Sequence, residues 1–174
     1  MFRLSRLLRG RRGTEWAAGD HAVGARFILL EAPTLATIDL PASRIGGSLS
    51  VMAEGLGDAG APVVASVTIE GAMLRPPSPV HLTAEHLAGG DIRLAWVRRS
   101  RDGWDWRDGG DVPLGEDAER YLLTINGRAV PLDTPGYLYS AAAQAADGGA
   151  PFIVAVRQTG MFAPSRATTL TLSS

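Results

Sequence analysis

At 174 residues, 45% hydrophobic and 20% charged, the chain is long enough for one large globular domain or two small ones, each with its own core. A formal net charge of -1 gives no overall drive toward nucleic acid or an acidic membrane. The absence of cysteine excludes disulfides, thiolate metal sites and thiol nucleophiles. The opening "MFRLSRLLRGRR" is basic and acid-free, but arginine interrupts every apolar run a secretory signal would need, and the stretch is short for a mitochondrial presequence. No apolar stretch approaches the roughly 20 residues of a transmembrane helix, so the expectation is a soluble chain without membrane insertion.

In the first segment, "FRLSRLLRG" reads as a strand or as a short helix that gathers Leu4, Leu7 and Leu8. "GTEWAAGDH" offers Thr14 as a helix cap with Glu15 in the first turn, and Gly19 ends it. "RFILLE", "LATIDLP", "GSLSVMAEG" and "PVVASVTIEG" then read as strands. The three prolines of "LRPPSP", Leu74 to Pro79, block helix and central strand alike and mark a domain junction. The expected organisation is therefore a small β domain with one short helix over residues 1–75 and a second β domain over 76–174.

Beyond the prolines, "VHLTAEHL" alternates, with Val80, Leu82 and Ala84 on one face, and "DIRLAWV" sends Ile92, Leu94 and Trp96 inward. "RYLLTI" follows, with Tyr121, Leu123 and Ile125 on one face, and the Asn-Gly of "NGRAVPL" signals a tight hairpin turn into a strand at Arg128 to Leu132. "GYLYSA", a helical turn in "AAAQAADGG", "FIVAVRQ" and "ATTLTLS" complete the chain. Short strands at this spacing predict an all-β fold whose second domain is an antiparallel sandwich of immunoglobulin-like size.

Between the second and third of these strands runs "VRRSRDGWDWRDGGDVPLGED", Val97 to Asp117, longer than a usual sandwich connection. Trp104 and Trp106 are two residues apart and face the same way in an extended loop, with Asp105 opposite and Arg101 and Arg107 flanking. Two readings stand: a contact surface for a protein or a saccharide, or rings that cover the end of the core beneath stacked arginines. Asp102, Asp105, Asp108 and Asp111 recur every third residue, but Trp104 and Trp106 break the alternating acidic pattern of a calcium loop, and no metal or other cofactor is expected. His81 and His86 are expected on opposite faces of a strand, too far apart in direction to chelate together, and no G-x-S-x-G elbow occurs. The first twelve residues hold five arginines but only Phe2 as an aromatic, which suits pairing with a neighbouring subunit better than nucleic-acid binding. The residues point to a protein without catalysis.

Two stretches resemble a known family. "LLRGRRGTEWA", and "PSPVHL" followed by "WVRRSRDG" and "PLGE", are similar to the C-terminal region of the host-specificity, or megatron, proteins in the tail baseplates of gene transfer agents and tailed phages. The second half also resembles a fibronectin type III module, with Trp96 as the inward tryptophan of its second strand and "FIVAVRQ" as its penultimate strand. It departs from that pattern at Phe152, in a region where such modules usually carry a tyrosine. The resemblance implies a virion component made in the host cytoplasm and placed at the tail tip. There it joins other baseplate proteins in a larger oligomeric assembly and extends to the host's surface glycans or proteins. The candidate contact residues are Arg101, Trp104, Asp105, Trp106 and Arg107, and the alternative is a carbohydrate-binding module that uses the two tryptophans.

Overall fold

A computed structural model describes residues 18–26, 36, 38–57, 59–103 and 110–173. The expected helix after Thr14, the strand "RFILLE" beyond Arg26, and either structure for "FRLSRLLRG" lie outside them. Contacts gather the described residues into two units, one within Ala17–Ala72 and the other beginning at Met73.

In the first unit, β1 (Ser48–Ala53) and β2 (Val63–Thr68) form an antiparallel pair. A 3-10 turn at Ala42–Arg44 precedes it, and Gly46 and Gly47 extend the ladder through bonds with Ile69. The register gives the pair two unlike faces. Ser48, Ser50, Ser66 and Thr68 lie on one together with Met52 and Val64, with Ser50 and Ser66 hydroxyls 2.8 Å apart, while Leu49, Val51, Ala53, Val63, Ala65 and Val67 lie on the other, which is wholly apolar. The expected strand "LATIDLP" does not form in its described part: Ile38 to Pro41 carry no ladder. Alternation alone does not make a strand without a neighbour to accept its backbone hydrogen bonds.

The second unit is a sandwich of two antiparallel sheets. β3 (Val80–His86), β4 (Ile92–Val97) and β7 (Gly136–Tyr139) form one in the order β3-β4-β7. β5 (Tyr121–Ile125), β6 (Arg128–Leu132), β8 (Phe152–Gln158) and β9 (Thr168–Leu172) form the other in the order β6-β5-β8-β9. The chain passes from the first sheet to the second after β4, returns for β7 and crosses again for β8. Three strands against four with these crossings make an immunoglobulin-like sandwich of the fibronectin type III kind.

The inward positions of every third-to-ninth strand except β3 and β6 contribute to one buried core: Ile92, Leu94 and Trp96; Tyr121, Leu123 and Ile125; Tyr139; Phe152, Val154 and Val156; and Leu172. Each such side chain contributes roughly 1.5–3 kcal/mol on burial. Trp96 and Tyr121 meet edge to face with centroids 5.3 Å apart, joining the two sheets. Turns fall where the residues demand them. Asn126 and Gly127 both adopt positive φ in the β5–β6 hairpin. Ser140 accepts the Ala143 N–H to cap helix α1 (Ala141–Ala146).

Two local features depart from the expected pattern. Val80 pairs with Val97 but Thr83 pairs with Ala95, so β3 holds an extra residue, and His81 sits there at φ 54°. The bulge puts Val80 beside exposed Val97, while Leu82 and Ala84 pack on the core. Val80, Leu82 and Ala84 are each partly buried between exposed neighbours, as the alternation requires, though only Leu82 and Ala84 pack on the core. The prolines Pro76, Pro77 and Pro79 are buried parts of the sandwich unit, and the Pro79 carbonyl accepts a hydrogen bond from the Thr168 hydroxyl.

Phe152 carries no hydroxyl to close the corner before β8, and Tyr139 supplies one from the facing sheet. Its ring meets Phe152 edge-on at 5.1 Å, and its hydroxyl donates to Asp147 Oδ2 at 2.8 Å. Arg128 holds the same carboxylate through Nε and Nη2, at 2.9 and 2.7 Å.

Candidate functional site

In the β4–β5 connection, the described residues 98–103 and 110–120 form two legs that are fastened together by arginine. Arg98 Nη2 reaches across to Asp111 Oδ2 at 2.7 Å and the Val112 carbonyl at 2.6 Å. The hydrogen bond from Arg98, reinforced by the Val112 N–H, holds the Asp111 carboxyl below the usual range. Nearer the core, Arg101 Nε donates to Glu116 Oε1 at 2.7 Å and its Nη2 to the Gly115 carbonyl at 2.6 Å. The Glu116 side chain is only 1% exposed. Its second oxygen accepts the Met161 backbone N–H at 2.9 Å, which ties the second leg to the β8–β9 connection.

Gln158 strengthens the same end. The side chain of this buried last residue of β8 donates to the Arg99 carbonyl at 2.9 Å and accepts the Arg99 N–H at 3.2 Å, as a neighbouring strand would. Ser165, also buried, accepts the Gln158 N–H through its hydroxyl and donates its own N–H to the Gln158 carbonyl. The second leg returns through Glu119, which accepts the Tyr121 hydroxyl at 2.7 Å, and Arg120, whose carbonyl accepts the Thr159 N–H. Burial first, and then the Glu119 carboxylate, push the Tyr121 hydroxyl well above the ordinary tyrosine range. A cleft of about 410 Å³ opens beside the first leg, with Arg98, Arg99, Ser100 and Gly103 on one side and the bulged His81 on the other.

Of the expected contact residues, Arg101 is described, and its guanidinium is turned inward to Glu116 with 17% of its side chain exposed. Trp104, Asp105, Trp106 and Arg107 lie outside the described residues, as does Asp108 of the acidic series. Of that series, Asp111 is engaged by Arg98. Among the described residues, no group of three or more His, Asp or Glu side chains is placed to hold a metal ion, and no helix is long and apolar enough to cross a membrane. Sequence reasoning missed the roles of Glu116 and Gln158. A glutamate within an arginine-rich polar run, and a glutamine ending an inward-facing strand pattern, are signals only in retrospect, since both partners are distant in sequence.

The site belongs to an immunoglobulin-like module in which the polar interior of one loop end replaces hydrophobic packing. Against known proteins, a family model described as "Rcc01698-like, C-terminal" matches residues 1–28. No curated protein matches the chain. Among solved structures, the spore cortex lytic enzyme SleM of Clostridium perfringens is similar at a TM-score of 0.40 and 15% identity over 57% of this chain, which spans 28% of the SleM chain. Domains d3–d4 of the rat CD45 extracellular region are similar at a TM-score of 0.41 and 8% identity, over 90% of this chain and 80% of theirs.

Proposed function

We propose that the chain is a non-catalytic component of a phage or gene-transfer-agent tail tip or baseplate, serving assembly and contact with the host surface. The observation that carries this reading is the fastening of the two described legs of the β4–β5 connection, residues 98–103 and 110–120. Arg101, Glu116 and Gln158 use partly buried polar bonds, and Arg98 a bond to exposed Asp111, to fix the two legs of that connection. Desolvating those groups is costly, so the arrangement favours a loop whose shape matters to a partner. The tail assignment is supported by the strings "LLRGRRGTEWA" and "PLGE", and the match of residues 1–28 to a model described as C-terminal falls on the first of them.

The test is to tag the chain in the cells that make it and fractionate released particles on a density gradient. The expected outcome is co-sedimentation of the chain with tail proteins and no signal on a glycan array. A chain confined to the unassembled fraction would overturn the tail reading, and glycan binding lost on Trp104→Ala/Trp106→Ala would favour the carbohydrate-binding alternative.

A further inference from the structure

The chain holds a single asparagine, Asn126, and a glycine follows it. The two residues form the loop of the β5–β6 hairpin, between the paired Ile125 and Arg128. Both are exposed to water, and a Cβ added at Gly127 would meet no atom beyond its chain neighbours within 4 Å, so nothing crowds the turn from outside. An asparagine followed by glycine carries its own electrophile and nucleophile. The glycine nitrogen can attack the side-chain amide carbon to close a succinimide ring, and glycine has no Cβ to hinder the approach.

The fold holds the two groups apart. The β5–β8 ladder pairs Ile125 with Val154, and one step further the Asn126 N–H donates to the Ile153 carbonyl at 3.0 Å. A continuing strand would offer the Asn126 carbonyl to the Ile153 N–H in return. At φ 46° the backbone turns into the hairpin instead, and the side-chain Oδ1 accepts that N–H at 2.8 Å. Nδ2 lies 3.5 Å from the Pro151 carbonyl, so both partners orient the carboxamide the same way. The left-handed backbone also sets the Gly127 nitrogen nearly opposite Cβ about the Cα–C bond. Ring closure therefore requires the turn to open and the carboxamide to leave Ile153.

We propose that Asn126 is a site of spontaneous covalent modification whose rate is set by the opening of this clamp. The Gly127 nitrogen bonds to Asn126 Cγ and gives up its proton to solvent, Nδ2 takes a proton and departs as ammonia, and a succinimide remains. Water then adds to either ring carbonyl and breaks that carbon's bond to the ring nitrogen. Opening at Cγ leaves an aspartate, and opening at the backbone carbonyl leaves an isoaspartate. The sum is amide plus water to acid plus ammonia, with no oxidant or reductant. The aspartate keeps an oxygen for the Ile153 N–H. The isoaspartate routes the main chain through the side-chain carbons. The tight turn between Ile125 and Arg128 cannot absorb that extra length, because turn geometry fixes the hairpin register. Conversion to isoaspartate thus loosens β6 from β5, its ladder partner at that edge of the sandwich.

The experiment incubates the full chain in mildly alkaline buffer, folded and in guanidinium chloride, and follows the tryptic peptide Tyr121–Arg128 by mass spectrometry. Asn126 is the one side-chain amide in that peptide, so the mass difference between amide and acid reports this site alone. The unfolded chain is expected to give two products of equal mass that separate on reversed phase. The folded chain should convert about tenfold more slowly or less, since its clamp is open for a small fraction of the time. The Ile153 amide, which holds Oδ1, should show hydrogen-exchange protection of the same order. Ile153→Pro removes that N–H, and its folded chain should convert several-fold faster than the parent. Equal rates in the folded and unfolded parent would overturn the clamp, and an unfolded chain that does not convert would overturn the site. A folded Ile153→Pro chain as slow as the parent would also overturn the clamp. If that variant does not fold, the parent's retardation decides: agreement with the Ile153 protection supports the clamp and disagreement overturns it.

Discussion

Glu116 is the residue on which the loop end turns. Its buried carboxylate joins Arg101 on one side and the Met161 N–H on the other, so one side chain links the two legs to a strand connection far along the chain. Glu116→Gln keeps the shape but leaves the largely buried Arg101 guanidinium without its counter-charge, and is expected to cost about 3 kcal/mol in urea denaturation. A variant as stable as the parent would show that the pair is solvated. At the opposite end, Tyr139 and Asp147 make stability depend on pH in opposite directions. Burial first, and then its bond to Asp147, push the Tyr139 hydroxyl up to about 12, against 10.0 ordinarily. The folded state therefore favours the neutral phenol; its contribution is complete below pH 10 and is lost as the pH rises through about 12. Asp147, held down by the hydrogen bond from Arg128 and then by that from Tyr139, contributes above its ordinary 3.8 and loses that contribution as the pH falls through its lowered value. Melting temperature should fall on both flanks. Tyr139→Phe should flatten the alkaline flank only in part, because Tyr121 is also pushed upward, and Asp147→Asn should flatten the acid one only in part, because Asp111 is also held down. A Tyr139→Phe alkaline profile that overlays the parent's would overturn the assignment.

At the scale of elements, β4 shows what a sequence makes plain. Ile92, Leu94 and Trp96 alternate with Arg93 and Val97, and the first three are buried as the period of two requires. Trp96→Ala removes a ring that is 4% exposed and packed edge-on to Tyr121, and should cost about 3–5 kcal/mol. Val97→Ala, at an exposed neighbouring position, should stay within about 0.5 kcal/mol. Equal melting temperatures for Trp96→Ala and the parent would contradict the packing. The Asn126-Gly127 hairpin was equally readable, because few residues other than these tolerate its backbone. The bulge at His81 was not, since register is a property of two strands and β3 alone reads as plain alternation. Nor was the inward turn of Arg101. Several arginines crowd that run, and only the fold decides which of them meets Glu116.

The whole molecule divides its apolar residues unevenly. Among the described residues, every residue of the buried hydrophobic core lies between Ile92 and Leu172, within the unit that begins at Met73. The described residues of the other unit include no buried one: Val63, Val64 and Val67 of β2 are 71%, 65% and 55% exposed, and β1 is its only partner strand there. A lone two-stranded pair is marginally stable at best in water, whereas a sandwich with one continuous core unfolds cooperatively. A fragment comprising Met73–Ser174 is therefore expected to keep its near-ultraviolet circular dichroism and a single sharp thermal transition. A fragment comprising Ala17–Ala72 should show neither, since its described strand pair buries no residue to offset the entropy of ordering the chain. The measurement is thermal melting of both fragments beside the full chain. A broad, non-cooperative transition in the Met73–Ser174 fragment would mean that the sandwich draws essential stability from residues before Met73. Cooperative melting of the Ala17–Ala72 fragment would mean that its apolar strand face is covered in solution.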